Sequence, residues 1–273
     1  MKDKISLAGD LGSGKSTVSK ILIERLGAQY YSTGAIVRSI AEERGMTVVE
    51  LNRYMETHPE IDHEIDDGVA RLAELDGCLI IDSRMAWHFT KGTFKVYLST
   101  DIETSALRIM GANRKGEHAM TLEDTVKDTR SRRESEIKRY AEQYGVNIKD
   151  LSNYDLIVDT TYATPEEIAE CIITAFKVWC EDKSYKSAFI SPERLHYPDD
   201  EADAELIASL ASRLESGESI PAVEIAEQDG EFYVISGTES ALAHAFGMAT
   251  FIPAVLKAAK LDPKSFVRMK NSI

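Results

Sequence analysis

Short apolar runs alternate with longer stretches of helical periodicity through the first 180 residues. Ile5–Ala8, Gln29–Tyr31, Cys78–Asp82, Phe94–Leu98 and Leu156–Asp159 read as short buried strands. Strands separated by helices predict an α/β unit, a parallel sheet with helices on both faces. Three helix starts carry a capping-box pattern, in which a threonine oxygen and a later glutamate satisfy free backbone N–H groups. They are Thr47 with Glu50, Thr100 with Glu103, and Thr164 with Glu167.

Beyond Cys180 the pattern changes. The polar run Glu181–Lys186 reads as a linker, and Pro198–Glu201 as a loop. A helix is expected at Ala204–Glu215, and two strands at Ala222–Ala226 and Glu231–Ser236 flank an Asp229-Gly230 hairpin turn. Gly237 opens a further helix and Phe251–Leu256 reads as a closing strand. Two units follow from this, residues 1–180 and a smaller α+β unit at 187–273.

Composition narrows the function classes. The longest apolar runs, Cys78–Ile81 and Ile172–Phe176, are too short to span a bilayer. Met1–Ala8 is too poor in apolar residues for a signal peptide, so a cytoplasmic location is expected. Acidic residues outnumber basic ones 46 to 32, for a formal charge of −14. Residues 187–273 hold 14 acids and 7 bases, half of that excess. No basic stripe interrupts this acidity, which argues against nucleic-acid binding. Cys78, Cys171 and Cys180 form no CxxC pair and read as reduced thiols.

The strongest chemical signal is Gly9-Asp10-Leu11-Gly12-Ser13-Gly14-Lys15-Ser16-Thr17, which fits G-x-x-x-x-G-K-[ST] between a strand and a helix. Such a loop curls its N–H groups around phosphate oxygens, and the following helix adds its positive end. Lys15 would reach the β- and γ-phosphates of ATP, and the Ser16 hydroxyl would ligate Mg²⁺. Asp82 ends the third strand, where a carboxylate is able to hold a Mg²⁺-bound water. Thr33 and Arg38 follow the second strand and Arg84 the third, all at the carboxyl edge where open α/β sheets bind ligands. Arg132, Glu136 and Arg139 share one helical face. Alone they read as a salt-bridged solvated face, but beside this loop they read as a lid. His58 and His63 do not share a face, so no metal pair is expected. Asp62, Asp66 and Asp67 read as a solvated acidic face, with Asp62 within reach of a substrate amine. Trp87 reads as core or cleft wall.

Several of these pieces, in order, resemble cytidylate kinases, above all the shorter archaeal-type branch. They are Ser32-Thr-Gly-Ala-Ile-Val-Arg38, Ser83-Arg84, the Arg132/Glu136/Arg139 triple, Leu151–Thr160 and His58–Asp66. The resemblance covers residues 4 to about 178. It implies the P-loop nucleoside monophosphate kinase fold and transfer of the ATP γ-phosphate to CMP or dCMP with Mg²⁺. It puts Thr33, Arg38 and Arg84 on the acceptor nucleotide and Arg132, Glu136 and Arg139 across its base and the transferring phosphate. Arg108 and Arg114 flank a lid at Met110–Met120. Two residues depart from the pattern: Asp10-Leu11 stands where many relatives carry proline, and Arg133 where an acid is expected after Arg132. Asp10 weakens ATP binding unless it points outward, and Arg133 bears on base specificity. A kinase for another small acceptor, such as another nucleotide or serine, and a non-catalytic ATP sensor are the rival readings.

Residues 187–258 resemble the ParB/sulfiredoxin-like domain through Ile190–Leu195, Leu206–Ala211, Ile220–Ile225 and Glu231–Gly237. That family holds nucleotide phosphates with basic or histidine residues after the glycine, whereas this chain reads Gly237-Thr-Glu-Ser. Glu239 opposes an anion there, so a dimerisation or regulatory module is expected.

Overall fold

The computed structural model describes residues 3–112 and 121–268. In the first unit β1 (Lys4–Gly9), β2 (Gln29–Ser32), β3 (Leu79–Asp82), β4 (Thr93–Ser99) and β5 (Leu156–Asp159) form a parallel array in the order β2-β3-β1-β4-β5. All five predicted strands are present, with ends shifted by one residue at most. Alternation sorts their side chains. Ile5, Leu7, Phe94, Val96, Leu98, Leu156 and Val158 pack against α1 (Lys15–Leu26) and α8 (Pro165–Glu181). Leu79 and Ile81 point the other way, toward α4 (Pro59–Arg71) and α5 (Ala86–Phe89).

The connecting segments are α2 (Thr33–Glu43), α3 (Val48–Met55), α6 (Ile102–Gly111) and the long α7 (Leu122–Tyr144). Two of the three capping boxes form: the Thr47 and Thr164 oxygens accept from the Glu50 and Glu167 N–H groups, and each glutamate accepts in return. The third does not. Asp101 caps α6 by accepting from the Glu103 and Thr104 N–H groups at 2.9 and 2.8 Å. The Thr100 N–H is committed to Asp10, at 3.1 Å.

The polar run after α8 leads directly into β6 (Ser187–Ile190), which hydrogen-bonds in parallel to β5. From there the sheet continues through β10 (Ile252–Leu256), β8 (Val223–Gln228), β9 (Glu231–Ser236), β7 (Leu195–Pro198) and β11 (Phe266–Arg268), giving one sheet of eleven strands. The second unit adds α9 (Ala204–Glu215) and α10 (Thr238–Phe246), which pack on each other. One apolar cluster crosses from one unit to the other, joining Tyr97, Leu151, Tyr154 and Ile157 to Ala188, Ile190, Ile225 and Ile252. The Arg194 guanidinium, 1% exposed, donates to Thr161 Oγ1 at 3.2 Å and to the Gly230 carbonyl at 2.8 Å, with Asp159 at 4.0 Å. Asp159 in turn accepts from the Ser191 N–H. Among the described residues no helix is long and apolar enough to cross a membrane, and the three cysteines are free thiols.

Truncating Arg194 leaves the Asp159 carboxylate buried without its cation. Arg194→Ala is expected to lower stability by about 3 kcal/mol. Because the sheet and core are continuous, far-UV circular dichroism and limited proteolysis at either unit are expected to report one urea midpoint.

Candidate active site

Strand β1 delivers the glycine loop at its carboxyl end. Gly9 lies so close to β4 that a Cβ there would overlap the Leu98 backbone, which excludes every other residue. Gly14, at φ 82°, caps α1. The loop is therefore pinned between β4 and α1, with its backbone curled around the start of the helix. Lys15 folds back over it, donating to the Gly9 and Asp10 carbonyls at 3.0 and 2.7 Å. Removal from water and the nearby Arg84 charge bring its ammonium down to about 7. This cationic cradle suits an incoming phosphate, which would relieve both effects.

One cavity runs from this loop across the carboxyl edge of the sheet. Leu11, Gly12, Ser13, Gly14, Lys15 and Ser16 line one end. Thr33, Arg38, Asp82, Arg84, Arg132, Glu136 and Arg139 line the rest, so the topology gathers these sequence-selected residues from five elements. Glu136 is the hub. Its carboxylate accepts from Arg84 Nε at 2.8 Å and from Arg132 Nε at 3.2 Å. Burial pushes that carboxyl up, but the two arginines outweigh it and hold it at about 2. Arg84 also donates to the Gly9 carbonyl at 3.0 Å, which ties this wall of the cavity to the loop. Arg139 pairs with Asp62 at 2.7 Å and donates to the Asn52 carbonyl at 3.1 Å. Arg38 remains exposed at the rim.

Other sequence-selected residues lie elsewhere. The Asp10 carboxylate faces away from the cavity, toward Tyr97, Thr100 and Lys149. Thr17 is exposed on α1, off the cavity wall. Arg108 ties α6 to the loop after β5 by donating to the Thr160 and Thr161 carbonyls. Arg114 and most of the expected lid fall outside the described residues. Trp87 donates to the Arg84 carbonyl and packs against the apolar cluster that joins the two units, so it belongs to the core and not to the cavity wall.

Three residues of the site escaped the sequence reading. Tyr30 donates to Asp82 Oδ2 at 2.9 Å and so fixes that carboxylate. Asn52 and Tyr140 line the cavity beside Arg139. The larger correction concerns α4. Asp62 and Asp66 are 2% and 5% exposed and line the cavity, so they do not form a solvated face. Only Asp67 is exposed. The signal was present, because both acids directly follow Ile61 and Ile65, which with Val69 mark the buried stripe. Tyr144 donates to Asp66 at 2.9 Å. Burial, with the neighbouring Asp62 charge, lifts the Asp66 carboxyl to about 7. No cluster of three or more His, Cys, Asp or Glu side chains suited to a resident metal occurs among the described residues.

Residues 4–162 match the cytidylate kinase-like family. The chain belongs to that family. A cytidylate kinase of Thermoplasma volcanium is 37% identical over 174 residues, covering 62% of this chain and 89% of the relative. That of Methanothrix thermoacetophila is 39% identical over 156 residues, 57% and 87% of the two chains. An S-adenosylmethionine-dependent nucleotide dehydratase of Lacinutrix mariniflava is 36% identical over 178 residues, 65% of this chain but 36% of that one. The family assignment makes this a nucleotide kinase of the mixed α/β class.

The raised Asp66 carboxyl has a pH signature. The folded state holds this proton up to about pH 7, whereas the unfolded chain releases it near its ordinary 3.8. The Asp66 contribution is therefore intact below about pH 4 and lost as pH rises toward 7. Asp66→Asn is expected to stabilise the protein by about 2 kcal/mol at pH 8 and to leave it unchanged at pH 4, read from urea midpoints.

Proposed function

We propose that the chain transfers the γ-phosphoryl group of ATP to CMP or dCMP, giving CDP or dCDP. The observation that carries this reading is the single cavity. It has a phosphate loop at one end and, at the other, arginines held apart by a carboxylate. Gly9–Thr17 would seat ATP, with Lys15 released from the loop carbonyls onto the β- and γ-phosphates. Mg²⁺ would neutralise charge on those phosphates, and the Ser16 hydroxyl and the water shell at Asp82 are hard oxygen donors suited to it. Tyr30 keeps Asp82 turned toward that position.

On the acceptor side Thr33, Arg38 and Arg84 would grip the monophosphate, two of them by bidentate charge-assisted bonds. Glu136 and the Arg139–Asp62 pair would face the base, where a carboxylate accepts from the exocyclic amine of cytosine and repels the carbonyl of uracil. Arg132 and Arg139 would then balance charge as the phosphoryl group moves. The acceptor phosphate is already anionic, so placement and charge balance are the demands on the protein rather than a general base. A closed, largely buried set of arginines is worth more here than in water, because few waters compete for the same charge.

We also propose that residues 1–180 form the kinase domain and that residues 187–273 form a ParB-like domain without nucleotide chemistry, serving regulation or dimerisation. Its support is the helix after Gly237. A Cβ at that glycine would sit 2.7 Å from the Ala222 carbonyl, as a close loop–strand approach requires. Glu239 lies in the first turn of α10, where it opposes an anion.

The test is ADP release from ATP and Mg²⁺ with CMP, dCMP, UMP, AMP, GMP and free serine. Turnover is expected with CMP and dCMP. Lys15→Ala is expected to lower kcat at least ~100-fold. Glu136→Ala is expected to raise the KM for CMP at least ~10-fold, since it unseats both arginines. Turnover with UMP or serine alone would overturn the acceptor assignment, and ATP binding without turnover on any acceptor would overturn the kinase reading.

A further inference from the structure

The two residues that depart from the family pattern meet in space. Asp10 occupies the second position of the phosphate loop, with its carbonyl on one side and its carboxylate on the other. The carbonyl accepts from Lys15 at 2.7 Å and from Ser13 Oγ at 2.8 Å, facing the phosphate end of the cavity. The carboxylate, 6% exposed, points behind the loop. There Oδ1 accepts from Lys149 Nζ at 2.6 Å and from the Tyr97 hydroxyl at 2.9 Å, and Oδ2 accepts from the Thr100 N–H at 3.1 Å. Arg133 Nη2 lies 3.3 Å from Oδ1.

Arg133 and Arg132 are adjacent on α7, and consecutive helical residues project about 100° apart. Arg132 consequently lines the acceptor cavity, whereas Arg133 lines a second, 20 Å³ cavity behind the loop with Asp10, Tyr97 and Lys149, the two cavities sharing Leu11, Arg84 and Glu136 as their common wall. Arg133 is absent from the acceptor wall. An acid inside a phosphate loop is a liability, because a buried carboxylate repels phosphate strongly when water does not screen it. Two cations converge on this one.

We propose that Arg133 is a positioning residue for ATP: with Lys149 it neutralises Asp10 from behind, so that the loop presents only its N–H groups and Lys15 to the phosphates. Arg133 thereby belongs to the ATP side of the reaction rather than to base recognition. It also fastens α7, which carries Arg132, Glu136 and Arg139, to the loop. The proposal rests on the reading of Gly9–Thr17 as an ATP site and does not depend on which acceptor is used.

The experiment is calorimetric titration of the full chain with ATP and Mg²⁺ without acceptor, alongside steady-state kinetics with CMP. Arg133→Gln is expected to raise the ATP Kd about tenfold, with the KM for CMP within about twofold of wild type. Arg133→Lys keeps the charge and is expected to retain most of the affinity. The double variant Asp10→Asn, Arg133→Gln removes the liability with its remedy and is expected to return the Kd to within about threefold of wild type. Thermal melting without ligand establishes that each variant is folded. An unchanged ATP Kd with a raised CMP KM in Arg133→Gln would overturn the proposal. So would a double variant as weak as the single one. Wild-type ATP binding without CMP turnover would sink the acceptor reading while leaving the comparison of Kd values intact.

Discussion

Strand β1 has no free edge, and the site follows from that. It is hydrogen-bonded in parallel to β3 on one side and to β4 on the other. Its direction and height are thus fixed by two neighbours at once, and its last residue is fixed with them. Gly9 arrives against the Leu98 backbone with no room for a side chain. The loop must turn there. The same pairing sets Asp82 and Arg84, at the end of β3, beside the loop, and the Arg84 bond to the Gly9 carbonyl closes the arrangement. Backbone pairing thus sets the loop beside Asp82 and Arg84, and the bonds of Arg84 and Arg132 to Glu136 bring in α7.

Charge balance is the second organising constraint. Five basic side chains, Lys15, Arg38, Arg84, Arg132 and Arg139, line one cavity whose own acids are Glu136, Asp62, Asp66 and Asp82. Without Glu136 the arginines would repel, and without the arginines Glu136 would be an uncompensated buried anion. The arrangement holds the Arg84 and Arg132 guanidinium groups at fixed places on either side of Glu136. The Lys15 ammonium is displaced downward, first by removal from water and then by the nearby Arg84 charge.

The strands and the phosphate loop were legible in the sequence because both are local: apolar runs between turns, and glycines at fixed offsets before Lys15. The helix carrying Arg132, Glu136 and Arg139 was legible by its period. Asp62 and Asp66 were misread because charge alone was weighed, although their register with Ile61 and Ile65 places them on the buried stripe. At α6 the cap passed from Thr100 to Asp101 because Asp10, ninety residues away, claims the Thr100 N–H. No local pattern carries that information. The pairing of β6 with β5 was likewise out of reach, since a polar run and a change in composition look the same whether the next strand joins the old sheet or begins a new one.

That pairing also settles how the sheet meets the solvent. A kinase unit ending at α8 would leave β5, with its apolar Leu156 and Val158, as a bare rim able to recruit a strand from another chain. In this molecule β6 occupies that rim, and the exposed margins move outward to β2 at one end and to the three-residue β11 at the other. On the described part of that margin Arg268 forms an ion pair with Glu231 of β9. Within this chain the second unit thus covers the apolar β5 edge with its own backbone.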